Sequence, residues 1–204
     1  MIKYITILFI VSTTSINSQS NLKSFFELSG PKRTWVLFHP FKAKKSLAVS
    51  KEANKVADSI KKTNLLDGDA AGGQVDAFRH AYWMARLRQE IGKSAARSLG
   101  KAHEKENYQT FKKRKLEDGV VPDEISSIMD LHNNEEGLKL TKKRCKTSQK
   151  TLIDRIVKAI KEGKMKIIKK DKKDNFLTCD DKIISSKSLK GKWKNNKCLV
   201  ASNN

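Results

Sequence analysis

Apolar residues lie on every side of one stretch of the chain, Val75–Leu87, which reads VDAFRHAYWMARL. On a helix, Asp76, His80 and Trp83 share one face by i, i+4, i+7 spacing, while the opposite face is also apolar. A helix that is apolar all round is normally buried. Burial of ionisable groups is costly unless they pair with one another, a metal or a ligand. The pattern therefore predicts a central buried helix whose charged residues, Asp76, Arg79 and His80, have partners elsewhere in the chain.

Helical periodicity of apolar residues predicts further helices on both sides of this stretch. We expect an all-α fold, a compact bundle of five to six helices. Tyr108–Gly119 is polar and basic and is predicted to connect two helices, and Leu65–Gln74 is a glycine-rich connection without the lysine of a phosphate-binding loop. The predicted helices are Asn21–Leu28, Phe41–Thr63, the central helix ending near Ile91, Ser94–Glu106, a helix beginning at Pro122, and Gln149–Glu162.

The composition changes after Gly163, where short β-prone runs alternate with lysine clusters. This pattern predicts a small basic, partly β extension. We divide the chain into a signal peptide (residues 1–18), a helical catalytic-type domain (19–162) and a basic C-terminal extension (163–204). The β-prone runs are Met165–Ile168, Phe176–Thr178 and Trp193–Val200.

The N-terminus has the pattern of a secretory signal peptide. Lys3 supplies the positive start, Tyr4–Val11 is an apolar run too short to span a bilayer, and Ser12–Ser18 provides small polar residues before a cleavage site. We therefore expect a secreted or periplasmic protein. Export permits a disulfide. The favoured pair is Cys179 with Cys198, which leaves Cys145 unpaired.

The net charge of the 204-residue chain is +21, from 43 lysines and arginines against 22 acidic residues. Such a charge attracts phospholipid head groups, nucleic acid or acidic cell-wall polymers, although a solvated lysine-rich surface also explains it. Nucleic acid ranks lowest, because the sequence has no evident aromatic stacking platform or recognition motif. The expected partners are an anionic lipid or lipid-linked substrate and a membrane surface.

Three of the four histidines fall on three predicted helices, each beside or near a carboxylate. A single histidine on an apolar face is more often a hydrogen-bonded core residue, but three such sites with a buried arginine favour a functional cluster. Adjacent residues on a helix point about 100° apart, so the members of a neighbouring pair face different surroundings. The fourth histidine, His39, is interpreted as a packing or capping residue. The pairs predicted to converge are Asp76/His80, His103/Glu104 and Asp130/His132.

These side chains suit phosphoester cleavage or transfer. A histidine can act as base or nucleophile, a carboxylate can orient it, and Arg79 can bind phosphate oxygens through two donors. Asn133 and Asn134 are candidate donors to the same oxygens. A divalent metal is the alternative use of the cluster, with His80, His103 and Asp130 as candidate ligands. No HExxH sequence is present, which argues against a zinc protease.

Four motifs carry a resemblance to a known group of proteins: Trp35 with His39-Pro40, DAFRHAYW, AHE, and MDLHNNEEG. Together they resemble an uncharacterised family of exported bacterial helical domains, similar to the prokaryotic Wnt-like domains of the Lipocone superfamily. That superfamily includes phosphatidylserine synthases, lipid-directed toxins, Wnt proteins and serum amyloid A. The resemblance implies action on phosphate-containing head groups of phospholipids or polyprenyl lipids. The site residues that it implies are Asp76, Arg79, His80, His103, Glu104, Asp130 and Asn134.

The leading hypothesis is an exported hydrolase or transferase that acts on a lipid head group, with envelope maintenance and toxin-type attack on competitors as its two alternative roles. Its positive surface would hold it on an anionic membrane. His80 and His103 are the expected central pair. The alternative hypothesis is a non-enzymatic basic helical protein that binds anionic membranes or cell-wall polymers, with its histidines serving only the core.

Overall fold

The computed structural model describes residues 25–116, 121–145 and 147–204. The predicted signal peptide and the first half of the predicted helix Asn21–Leu28 lie outside these residues, and residues 25–27 of that helix are helical. The fold is mostly helical, as predicted, and the sheet in the described part of the chain has two short strands. None of the described helices is long and apolar enough to cross a membrane. The main helices are α1 (Gly30–Phe38), α2 (Pro40–Lys61), α3 (Gln74–Ile91), α4 (Lys93–Lys112), α5 (Glu124–Lys139) and α6 (Gln149–Lys161).

Local sequence explains where the first helices begin and end. The Ser29 side chain caps α1 by accepting from the Lys32 amide. Pro40 begins α2, where its missing N–H costs nothing. His39 lies between the two helices, stacks on the Trp35 ring with 4.6 Å between centroids, and contacts the Trp35 carbonyl through Nδ1 at 3.0 Å. The interpretation of His39 as a packing and capping residue is confirmed.

Helix α4 is longer than predicted, because it continues to Lys112 through a segment that the sequence indicated as a polar connection. The rings of Tyr108 and Phe111 lie 4.9 and 5.2 Å from the ring of Trp193 in the C-terminal extension. This contact, which the periodicity of the local sequence does not reveal, stabilises the C-terminal turns of α4.

Helix α3 is the centre of the fold and packs against α2, α4, α5 and α6. Phe78, Ala81 and Tyr82 are fully buried, so the predicted burial of this helix is confirmed. Two apolar clusters flank it. One joins α3 to α2 and α6, and the other joins its C-terminal half to Trp35 and α4. The side of α3 that faces α5 carries the polar residues.

The backbones of α3 and α5 approach very closely at Gly137. A Cβ atom at this position would lie 2.3 Å from the carbonyl oxygen and 2.6 Å from the Cα of Ala81. Real Cβ contacts are never this short, so any other residue at position 137 would force the two helices apart.

The C-terminal extension is partly β, as predicted. Of the three β-prone runs, only Met165–Ile168 and the end of Trp193–Val200 contribute to strands, whereas Phe176–Thr178 takes part only in isolated bridges. β1 (Lys166–Ile168) pairs antiparallel with β2 (Leu199–Ala201), and a four-residue helix, α7 (Ser186–Leu189), lies between them in the chain. A disulfide joins Cys179 and Cys198, as predicted, and Cys145 is free and exposed. The extension packs on the helices. The Ile168 amide donates to the Gly72 carbonyl at 2.7 Å.

We predict that Gly137→Ala destabilises the protein, although glycine-to-alanine changes inside helices normally stabilise by up to about 1 kcal/mol. The new Cβ would overlap the Ala81 backbone, and overpacking of this kind costs about 1–3 kcal/mol. Urea unfolding followed by circular dichroism measures the change. The exposed substitution Lys139→Ala in the same helix is the control and should stay within about 0.5 kcal/mol of wild type. Equal or greater stability of Gly137→Ala would contradict the close approach.

Candidate functional site

Polar side chains from α3 and α5 meet at the crossing of the two helices. His80 is 2% exposed, and its Nε2 lies 3.3 Å from Asp130 Oδ1 and 3.6 Å from Asp76 Oδ1. On the other side of the ring, Nδ1 lies 3.3 Å from Asn134 Oδ1. Arg79 Nη2 donates to Asp76 Oδ1 at 2.7 Å. The structure thus brings together five of the seven predicted site residues.

The spacing along each helix explains this convergence. Arg79 and His80 follow Asp76 by three and four positions, so the three residues lie on one side of α3. Asp130 and Asn134 are four positions apart on α5 and face them. Asp76 is also in the first turn of α3, where the helix dipole favours a carboxylate, and its Oδ2 accepts from the Gly72 amide at 2.9 Å.

His80 is held as a neutral imidazole. Burial holds its pKa well below the usual range, and the positive potential of Arg79 and of His103 acts in the same direction, whereas the hydrogen bond with Asn134 opposes them. An amide oxygen can only accept, so Nδ1 is the donor in this bond. Nε2 then carries a lone pair. It makes no hydrogen bond to any described residue.

His103 lies next to this cluster, with its ring centroid 6.2 Å from that of His80. Its Nδ1 is 3.5 Å from Glu106 Oε2, and Glu106 is ion-paired with Lys32. Burial raises the pKa of Glu106, but the hydrogen bonds from His103 and Lys32 outweigh burial and lower it to about 2. Glu106 was missed by the sequence analysis, although its i+3 spacing from His103 is a usable signal.

The other predicted members of the site have different neighbours. Glu104 is buried and accepts from Asn107 Nδ2 at 3.3 Å. His132, which was predicted to converge on the cluster together with Asp130, faces away from it, and its Nε2 lies 3.0 Å from the Lys164 carbonyl oxygen. Residues two apart on a helix point about 200° apart, which explains the difference.

Asn133, a predicted phosphate donor, instead holds the C-terminal extension. Its Nδ2 donates to the Lys166 carbonyl at 2.9 Å, and its Oδ1 accepts from the Lys166 amide at 2.8 Å. Both polar atoms of this fully buried side chain are therefore used in fixing β1.

A cavity of about 420 Å³ borders the cluster and is lined by Asp76, Arg79 and Asp130. The two carboxylates are buried, whereas Leu116, Val121 and two lysines of the lining are exposed. His103 and Glu104 do not line this cavity. A second cavity of about 730 Å³ shares Arg79 and is otherwise lined largely by polar residues of α2 and the 65–74 connection. The remaining lining of the smaller cavity includes Leu116, Val121, Ile168, Phe176, Leu189, Lys190 and Lys192.

One group of side chains has the spacing required to share a cation. The ligand atoms of Asp76, His80 and Asp130 all lie within 4.8 Å of one another. Among the described residues, these three form a group of His, Cys, Asp or Glu side chains that could hold one metal ion. His103, which the sequence suggested as a candidate ligand, is not part of this group.

Comparison with known proteins gives one finding. The model of a family described as Domain of unknown function (DUF6973) matches residues 33–164. No curated protein and no solved structure matches the chain. The matched segment contains all the predicted site residues, whereas β1, α7 and β2 follow it in the chain.

We predict that His80 lowers the free energy of unfolding as the pH decreases. Its pKa is depressed in the folded protein, so below the unfolded value of about 6.5 the unfolded chain binds a proton that the folded site excludes. His80 therefore contributes stability above that pH, and the contribution is lost as the pH falls. Between pH 7.0 and 5.5, wild type should lose roughly 1 kcal/mol more than His80→Gln. Urea unfolding in the presence of chelator measures this.

The control is His132→Gln, which changes a half-buried histidine outside the cluster and should leave the loss caused by His80 in place. Equal losses in wild type and His80→Gln would show that His80 is not held neutral.

Proposed function

The chain belongs to the DUF6973 family, and we propose that it is an exported enzyme that hydrolyses or transfers phosphate-containing lipid head groups. One observation carries the proposal. Buried charged residues and an apolar wall line the same cavity, and a phospholipid or polyprenyl lipid has this combination of a charged head and an apolar chain. The polar side of this cavity, its apolar side and the charged surface around it each support the proposal.

On the polar side, Arg79 supplies a phosphate-binding group. Its guanidinium is a planar fork of N–H donors that suits phosphate oxygens, and Asp76 orients it through a bond of 2.7 Å. The lone pair at His80 Nε2 is available to a cation. Asn134 positions the imidazole through Nδ1. Phosphoryl chemistry depends mainly on such positioning and on charge stabilisation.

On the apolar side, Ile168, Phe176 and Leu189 provide lining that a free sugar phosphate would not require. Leu116 is 62% exposed and Val121 is 44% exposed at the same cavity, so apolar surface continues from the lining to the solvent. An acyl or prenyl chain fits this arrangement.

The surface charge and the motifs agree with a lipid substrate. Lys190 and Lys192 are exposed cavity residues, and each basic side chain near an anionic bilayer contributes about 1 kcal/mol of attraction. The disulfide between Cys179 and Cys198 fits an oxidising compartment outside the cytoplasm. The resemblance of the DAFRHAYW and MDLHNNEEG motifs to prokaryotic Wnt-like domains of the Lipocone superfamily supports the same substrate class.

A second candidate function is binding to anionic membranes or cell-wall polymers without catalysis. Phe38 and Phe41 are 78% and 96% exposed at the junction of α1 and α2, beside the exposed Lys44 and Lys45. Aromatic and basic side chains in this combination are typical of membrane-surface contacts. In this function, the His80 cluster would serve only the core.

We predict that the purified mature protein releases head groups from vesicles of phospholipids or polyprenyl-diphosphate lipids, measured by mass spectrometry with and without chelator. Arg79→Lys should lower kcat/KM by at least about tenfold, because lysine lacks the planar pair of donors. Arg97→Lys is the matched control, since Arg97 pairs with Glu135 at the surface away from the cavity, and it should retain wild-type turnover.

Vesicle co-sedimentation separates the two functions. In the enzymatic function, His80→Gln loses head-group release and still sediments with anionic vesicles. If wild type sediments with every vesicle in the panel and releases nothing, the enzymatic proposal is wrong and the binding function replaces it.

A further inference from the structure

We propose that Asp76, His80 and Asp130 bind one divalent cation, Mn²⁺ or Zn²⁺, at the crossing of α3 and α5. The inference deepens the proposed function. Only the catalytic role of the ion rests on that function, whereas the binding of the ion rests on distances and burial.

The distances between the candidate ligand atoms fit a shared ion. Two ligands bound at about 2.0–2.2 Å to one ion lie roughly 3.0–3.6 Å apart in octahedral or tetrahedral geometry. His80 Nε2 is 3.3 Å from Asp130 Oδ1 and 3.6 Å from Asp76 Oδ1. The third separation, between the two carboxylates, is within 4.8 Å. The two separations from His80 Nε2 thus already match those around a shared ion, and binding would draw the two carboxylates toward it.

The chemistry at His80 Nε2 requires a positive partner. Nδ1 donates to Asn134 Oδ1, so Nε2 of the neutral ring offers a lone pair. The groups nearest to that lone pair are two carboxylates, which also only accept. His80 is 2% exposed, and its Nε2 makes no hydrogen bond within the described chain. A cation between the three atoms satisfies the imidazole and both acids at once.

The surrounding contacts orient the ligands as they do in established metal sites. A metal-binding histidine almost always donates its other ring N–H to an oxygen, and Asn134 Oδ1 is that oxygen here. Asp76 is fixed by the Gly72 amide at 2.9 Å and by Arg79 at 2.7 Å. Asn134 itself is seated against Gly100, where an added Cβ would lie 3.2 Å from Nδ2.

The ligand set indicates the kind of ion. One imidazole nitrogen with two carboxylate oxygens suits Mn²⁺ or Zn²⁺ better than Ca²⁺, which binds oxygen ligands alone. Both carboxylates line the cavity, so the open positions of the ion would face a phosphate and polarise it.

The test is metal binding by tag-free, metal-stripped mature protein without lipid. Calorimetry with Mn²⁺ and with Zn²⁺ should give one ion per chain. Pulsed electron paramagnetic resonance of the Mn²⁺ complex should show coupling to one imidazole nitrogen. Asp130→Asn and His80→Gln should weaken binding by at least about a hundredfold, and Asn134→Leu by about 10–100-fold, since it removes the orienting oxygen. His132→Gln should bind as wild type does, and circular dichroism confirms that each variant is folded.

The absence of stoichiometric binding of both ions by wild type overturns the inference, as does Mn²⁺ binding without nitrogen coupling or with unchanged affinity in Asp130→Asn. These results hold even if a variant fails to fold, because the first two readouts use wild type alone. Head-group release that survives chelator would overturn the catalytic consequence and leave the proposed function standing. One bound ion without release from any lipid would support the site and contradict the proposed function.

Discussion

The close approach of α3 and α5 is the constraint on which the site depends. Gly137 lets the α5 backbone rest against Ala81, the residue directly after His80. Asp130 and Asn134 precede Gly137 by seven and three positions, so they lie on the same face of α5. Their contacts with the imidazole, each 3.3 Å long, exist only because the two backbones nearly touch. If the two helices were one ångström further apart, the hydrogen bond between His80 and Asn134 would be lost, and Asp130 would lie out of reach of Nε2.

The same approach creates an electrostatic cost. Removing a charge from water costs several kcal/mol per ion unless the partners are well placed, and both Asp76 and Asp130 are buried. Arg79 is ion-paired with Asp76. His80 adds no charge to the cluster, because burial keeps its pKa low and its ring neutral. If this helix crossing served stability alone, we would expect apolar side chains here. The opposite side of α3 has such side chains. The polar cluster therefore points to binding.

The sequence predicted the parts of the site that depend on one helix. The apolar surroundings of Asp76 and His80 predicted burial, and their i, i+4 spacing predicted a shared face. Contacts between helices were harder to predict. His132, Asn133 and Asn134 are adjacent polar residues, and only their rotation about α5 decides that Asn134 meets His80 while Asn133 binds β1. The importance of Gly137 was not visible either, since a glycine reveals its role only when the opposing backbone is known.

Two parts of the chain, the helical segment and the C-terminal extension, line the cavity beside the charged cluster. The charged residues Asp76, Arg79 and Asp130 lie within the segment that matches the DUF6973 family, residues 33–164. Phe176, Leu189 and Lys190 lie beyond it, in the C-terminal extension, and line the same cavity. The disulfide from Cys179 to Cys198 closes the part of the extension that carries Leu189 and Lys190, and the buried ion pair of Lys197 with Asp123, at 2.6 Å, attaches that part to the start of α5. A change in the extension can thus alter the wall that meets a substrate without touching the charged cluster. In the proposed function, selection among lipid chains depends on the extension, and the reaction depends on the residues of the helices.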